Sequence, residues 1–187
     1  MELSLTGAFL MVKNILFGFV ALMIFSLSSL KSEAGITVSV GTATWQEKIP
    51  VIYSGSEVRA KTSFTGLMFG IGLMVQITQR WSWDLNANMI AGLADIQKLD
   101  GAVVPRRNVN SIWLPNRILY SVSDRIAWGP NILTNFRKID GLNGAVSTGA
   151  FIDFDYRILE KSVLTHSIGT ISDSKELAYS VKYTKRF

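Results

Sequence analysis

From Leu177 to Phe187 the chain alternates between two kinds of position. Leu177, Tyr179, Val181, Tyr183 and Phe187 fall on one face of an extended strand, and Ala178, Ser180, Lys182, Thr184 and Arg186 fall on the other. A spacing of two is the side-chain period of a β-strand. The same period recurs upstream. Leu67, Phe69, Ile71, Leu73, Val75 and Ile77 alternate with Gly66, Met68, Gly70, Gly72, Met74 and Gln76, and the glycines argue against a helix. Trp81, Trp83, Leu85, Ala87, Met89, Ala91 and Leu93 alternate with Ser82, Asp84, Asn86, Asn88, Ile90 and Gly92. Five further segments complete a set of eight strands. The first begins at Gly35. The fourth and fifth carry Ile112, Leu114, Ile118, Tyr120 and Val122, then Ile126, Trp128, Ile132 and Phe136, on their apolar faces. In the sixth, Ala150, Ile152, Phe154, Tyr156 and Ile158 oppose Gly149, Phe151, Asp153, Asp155 and Arg157. The seventh precedes the turn at 172–175, and its facing is left open.

The connections read as long and short in turn. Residues 46–61, 95–108 and 140–144 form loops, while 78–80, 123–125 and 159–161 form tight turns. That asymmetry suits a membrane barrel with long loops on one side and short turns on the other. Trp81, Trp83, Tyr120, Trp128, Tyr156, Tyr183 and Phe187 all fall near the short-turn ends, where they would form an aromatic girdle at the headgroups. A soluble lipocalin-like barrel would use the same alternation with the two faces exchanged. Pro115 and Pro130 lie inside predicted strands, and Asn116 falls on a lipid-facing position; a bulge in that hairpin would account for all three.

The terminal strand resembles the C-terminal strand of Gram-negative outer-membrane β-barrel proteins. The resemblance implies that Tyr179, Tyr183 and Phe187 form the signal read by the barrel-assembly machinery. Lys185 departs from that pattern, and a lysine near the rim can extend its amine to the headgroups. Over residues 35–187 the expected architecture is all-β: an eight-stranded antiparallel up-and-down transmembrane barrel, similar to the small OmpA/OmpX/OmpW-like barrels. Lipid and lipopolysaccharide are then its surroundings, and a monomer is favoured.

The N-terminal segment agrees with export. Lys13 precedes an apolar run from Ile15 to Leu27, and the small residues that follow end at Ala34. This is the form of a cleavable signal peptide over 1–34, cut before Gly35, with Met11 as an alternative initiator. The run is short for a membrane helix. The implied location is the outer membrane of a Gram-negative bacterium, reached through a Sec-type signal.

Composition narrows the chemistry. With no cysteine and one histidine, the chain has neither a disulfide framework nor a zinc site of the His/Cys type, and no cofactor or metal is expected. The net charge of +5 is spread along the sequence with no accompanying motif, which argues against nucleic acid. The predicted lumen holds Asp84, Asn86, Asn88, Arg117, Asn131, Asp153, Asp155, Arg157 and Lys182, joined by Asn135. Buried charges must pair, so the expectation is an ion-pair network that plugs the barrel rather than an ion path.

Some eight-stranded barrels modify lipid A. The lipid A deacylases use a His and a Ser two apart on one face, whereas His166 and Ser167 are adjacent and point to opposite faces. No nucleophile–base–orienter set is visible, so an enzyme is not expected. Arg106 and Arg107 lie in the second long loop, where lipopolysaccharide phosphates are within reach, although solvation there is the simpler role. The leading expectation is a structural or surface-interaction protein that uses its extracellular loops. A small-solute channel or hydrophobic-ligand binder comes next, and a lipid A-modifying enzyme third.

Overall fold

A computed structural model describes residues 34–97, 104–171, 174 and 176–187. The signal peptide predicted over 1–34 lies outside these residues, apart from Ala34. Eight strands follow in order: β1 (Ala34–Tyr53), β2 (Ser56–Gln76), β3 (Trp81–Ile96), β4 (Arg107–Ser121), β5 (Ile126–Ile139), β6 (Ala145–Leu159), β7 (Ser162–Ile171) and β8 (Ala178–Arg186). Each pairs antiparallel with the next, and β8 closes on β1. Paired residues can be followed around the wall from Gly35 through Met74, Asp84, Arg117, Asn131, Phe151, Gly169 and Ala178. Because Tyr179 pairs with Thr44, this path returns to β1 at Trp45, ten residues above its start. With strands about 4.8 Å apart and a rise of about 3.3 Å per residue, a stagger of ten over eight strands tilts them by about 40°.

The polarity is inside out. Ile36, Val38, Val40, Leu67, Phe69, Ile71, Met89, Leu93, Ile132 and Phe154 are exposed on the outer wall, while Asp84, Asn86, Asn88, Arg117, Asp153 and Lys182 are buried within. Leu73, Val75 and Leu85 share the outward register but are buried. From Trp81 to Leu93 the outward residues of β3 span ~40 Å along the strand, or ~30 Å along the axis, enough for an apolar band with its interfacial rim.

The predicted loop over 46–61 is not a loop. β1 and β2 run on as one hairpin to a two-residue turn at Ser54 and Gly55, whose φ values of 49° and 78° are both positive. That is the primed turn that matches strand twist. Pro50 and the mixed charges suggested irregular chain, but the ladder explains them. The Ile36 carbonyl accepts from the Phe187 amide, so even-numbered β1 residues turn their backbone toward β8. Among the described residues β1 has no β8 partner beyond Thr44, so Pro50 forgoes no ladder bond with β8. Gly55→Ala is expected to cost about 1 kcal/mol in urea unfolding from lipid vesicles, and Gly55→Asn less. The cost is purely one of backbone conformation, since no atom lies within 4 Å of a Cβ built at Gly55.

Nor does the β4–β5 hairpin contain a bulge. The β3–β4 and β4–β5 registers are constant on both sides of the prolines. Pro115 faces β3 and Pro130 faces β4, and the ladder skips two pairs at each of these places. Asn116 does face outward, where its Oδ1 accepts a 2.7 Å hydrogen bond from Trp83 Nε1. The register shift falls instead between Arg157 and Leu159. β7 turns Thr165, Ser167 and Ile171 inward and His166 and Ile168 outward.

Candidate functional site: two seals in the lumen

The lower seal is a consequence of register. Asp84 on β3 lies directly opposite Arg117 on β4, which lies opposite Asn131 on β5. Asp153 and Asp155 enter from β6, and Thr165 and Lys182 are paired on β7 and β8. The guanidinium therefore sits among three carboxylates. Its Nε donates to Asp84 Oδ2 at 2.7 Å, and a second nitrogen reaches the same oxygen. Its third nitrogen reaches Asp155 at 2.8 Å, Asp153 at 3.3 Å and the Thr165 hydroxyl at 3.5 Å. Asn131 donates to both Asp153 oxygens, and Asn86 donates to Asp84. Thr37 and Ser39 on β1 donate to Asn86 and Asn88 on β3, passing over Gly72 and Gly70 of β2. The Arg117 and Asp84 side chains have no solvent exposure. A pair buried this deeply survives only when its remaining lone pairs and protons are hydrogen-bonded, as they are here.

The upper seal is apolar. Trp45 stacks on Phe64 with ring centroids 4.8 Å apart and meets Trp113 edge-on at 5.1 Å, and Trp113 lies 6.0 Å from Phe151. Ile49, Val51 and Ala60, from the extended hairpin, join the same cluster as Ile96, Val109, Ile139 and Ile171, so the hairpin closes over the upper lumen. One ion pair is set among them. Arg137 lies 2.9 Å from Glu47, which also accepts from Trp45 Nε1 at 2.8 Å and from Asn135 at 3.0 Å. Ser111 and Ser147 complete the bonds of Asn135, and the Arg137 guanidinium stands 5.3 Å from the Phe64 ring centre.

The lumen residues predicted from sequence thus divide. Asp84, Asn86, Asn88, Arg117, Asn131, Asp153, Asp155 and Lys182 share the buried lower layer, Asn135 belongs to the upper one, and Arg157 stands exposed at the lower mouth. Sequence reading missed Trp45, Glu47 and Arg137. The first two continue the alternation of β1 into the stretch taken as loop, and Glu47 on the same face as Trp45 and Ile49 was the available signal.

Among the girdle aromatics, Trp81, Trp128, Tyr156, Tyr183 and Phe187 are exposed, and Trp83 and Tyr120 are half-buried. Trp81 packs on Tyr120 at 4.9 Å, Arg80 donates to the Tyr120 hydroxyl, and Tyr183 donates to Ser162. Tyr179 faces outward and shares a 2.7 Å hydrogen bond with His166 Nδ1. His166 and Ser167 point to opposite sides of the wall. At the outer ends of β3 and β4, Arg106 bonds Asp95 at 3.2 Å, and Arg107, the first residue of β4, bonds the Asp140 carbonyl at 2.9 Å.

A closed antiparallel barrel, apolar outside and packed with charge inside, is a transmembrane β-barrel of the outer-membrane type. No protein-family model and no curated protein sequence matches the chain. Among solved structures it is similar to the attachment invasion locus protein Ail of Yersinia pestis, with 9% identity over 83% of this chain and 99% of that one and a TM-score of 0.49. It is also similar to the outer membrane protein OprG of Pseudomonas aeruginosa, with 10% identity over 83% and 97% and a TM-score of 0.49. An outer membrane channel from Pseudomonas putida F1 shows 10% identity over 82% and 96%, with a TM-score of 0.44.

Proposed function

We propose that this chain is a sealed outer-membrane barrel of a Gram-negative bacterium that acts through its extracellular surface and conducts no solute. One observation carries this reading: the lumen is closed twice, by the Arg117 ion cluster below and by the Trp45–Phe64–Trp113–Phe151 stack above. Between the seals lies a water-sized cavity, lined by Asn131, Asp153, Ser167 and Lys182. An interior filled by side chains is what a barrel of this strand number accommodates.

Contact with partners then falls to the rim. The hairpin lifts Ile52, 82% exposed, and Tyr53 beyond the neighbouring strands, with Lys48, Arg59 and Lys61 on its outer face. An exposed apolar tip above a basic stem suits an outer surface rich in anionic lipopolysaccharide. Delivery would follow the signal segment and the terminal-strand aromatics, which the assembly machinery would read.

Two measurements test the proposal. Unheated protein from purified outer membranes is expected to migrate as a compact band that shifts on heating. The same band in planar bilayers is expected to give no unitary current steps. Reproducible steps would replace this reading with that of a channel, and release of the protein in the soluble periplasmic fraction would remove the membrane reading altogether.

A further inference from the structure

The lower seal is the floor of a cup that opens at the short-turn mouth, with a cavity volume of about 70 Å³. Arg125, Arg157, Lys161 and Arg186 converge on it from two turns and two strand ends. Among the described residues, no carboxylate lies within ion-pair distance of Arg125, Arg157 or Lys161. Asp124 and Glu160 also line the cup, while Asp155 is already held by Arg117. The wall adds two features. Gly35 has no side chain where Arg186 crosses it, and a Cβ there would collide with the guanidinium. Thr184, 4% exposed, lines the same cup with a buried hydroxyl that has no hydrogen-bond partner.

Convergent cations repel one another, and a buried hydroxyl without a partner costs free energy. An anion in the cup would relieve both. Guanidinium groups offer forked donors that match phosphate oxygens.

We propose that this cup binds a small soluble anion carrying phosphate groups, about the size of a diphosphate. Binding itself does not depend on the membrane assignment. Only the compartment that supplies the ligand, the periplasm, rests on the reading above.

The test is calorimetric titration of inorganic pyrophosphate into the folded barrel in phosphatidylcholine nanodiscs at low salt. A Kd tighter than about 1 mM is expected. Arg157→Gln and Arg125→Gln should each weaken it by about tenfold or more. Thr184→Val should weaken it by about threefold, and Arg106→Gln at the opposite mouth should leave it unchanged. Each variant is first checked for the heat-dependent mobility shift, so that loss of binding is not loss of fold. No binding at 10-fold higher pyrophosphate, or equal affinity in the Arg157 and Arg125 variants, overturns the site. Loss of binding in phosphatidylglycerol nanodiscs would assign the cup to a lipid headgroup and overturn the soluble ligand.

Discussion

Arg117→Met is expected to destabilise the barrel by about 3–5 kcal/mol in urea unfolding from lipid vesicles, or to prevent folding. The methionine fills much of the same space, so the effect is electrostatic. The wild-type layer sets three carboxylates, Asp84, Asp153 and Asp155, around the Arg117 guanidinium, with Lys182 buried alongside. Without the guanidinium, Asp84 loses its ion pair and Asp153 and Asp155 lose their shared donor. Asp153→Asn should be much milder, because it removes one charge from the sign already in excess and leaves a group that still bonds. Arg117→Lys should fall between the two, since an ammonium cannot present the fork that spans Asp84 and Asp155. Near-native stability for Arg117→Met would show that the layer is hydrated and that the lower closure is not electrostatic in origin.

Trp45→Ala is expected to cost a similar amount, about 3–5 kcal/mol, for a different reason. The indole is 1% exposed, stacks on Phe64, abuts Trp113 and donates to Glu47, so its removal leaves both a cavity and an acceptor with one donor fewer. Trp45→Phe separates the two contributions. It keeps the stacking surface and loses only the N–H, so it should cost about 1–3 kcal/mol. The alanine variant should still give no current in planar bilayers, because the Arg117 layer closes the lumen independently. Conductance in Trp45→Ala would mean that the aromatic stack is the sole barrier.

The strand period made most of the wall legible in sequence, because a barrel with lipid outside and polar groups inside prints its two faces on alternate residues. Leu67–Ile77 and Trp81–Leu93 show this most clearly. The outer half of the lumen was not legible for a related reason. There the inward face is apolar, with Trp45, Ile49, Val51 and Phe64, while the outward face carries Gln46, Lys48, Lys61 and Ser63. Above the lipid band the code reverses, and a reader expecting apolar side chains outside sees irregular chain. The prolines misled in a similar way. Nothing local tells which backbone edge Pro50, Pro115 or Pro130 presents, and only the position of the neighbouring strand decides whether a missing N–H matters. The ion cluster was legible by composition and facing, but its pairing was not. Arg117 meets Asp155 because of register summed over several strands, a quantity that no single segment contains.

The unpaired flank of the long hairpin bears on how the rim can be recognised. Among the described residues, β1 from Gln46 to Ile52 has no strand partner on its β8 side, so its backbone groups there form a half-ladder of the kind an incoming peptide extends. Pro50 removes the donor in the middle of that row, leaving only short runs on either side. Recognition by strand addition is therefore disfavoured at this edge, and a partner must read the hairpin through side chains, principally Lys48 and Ile52 on its outer face.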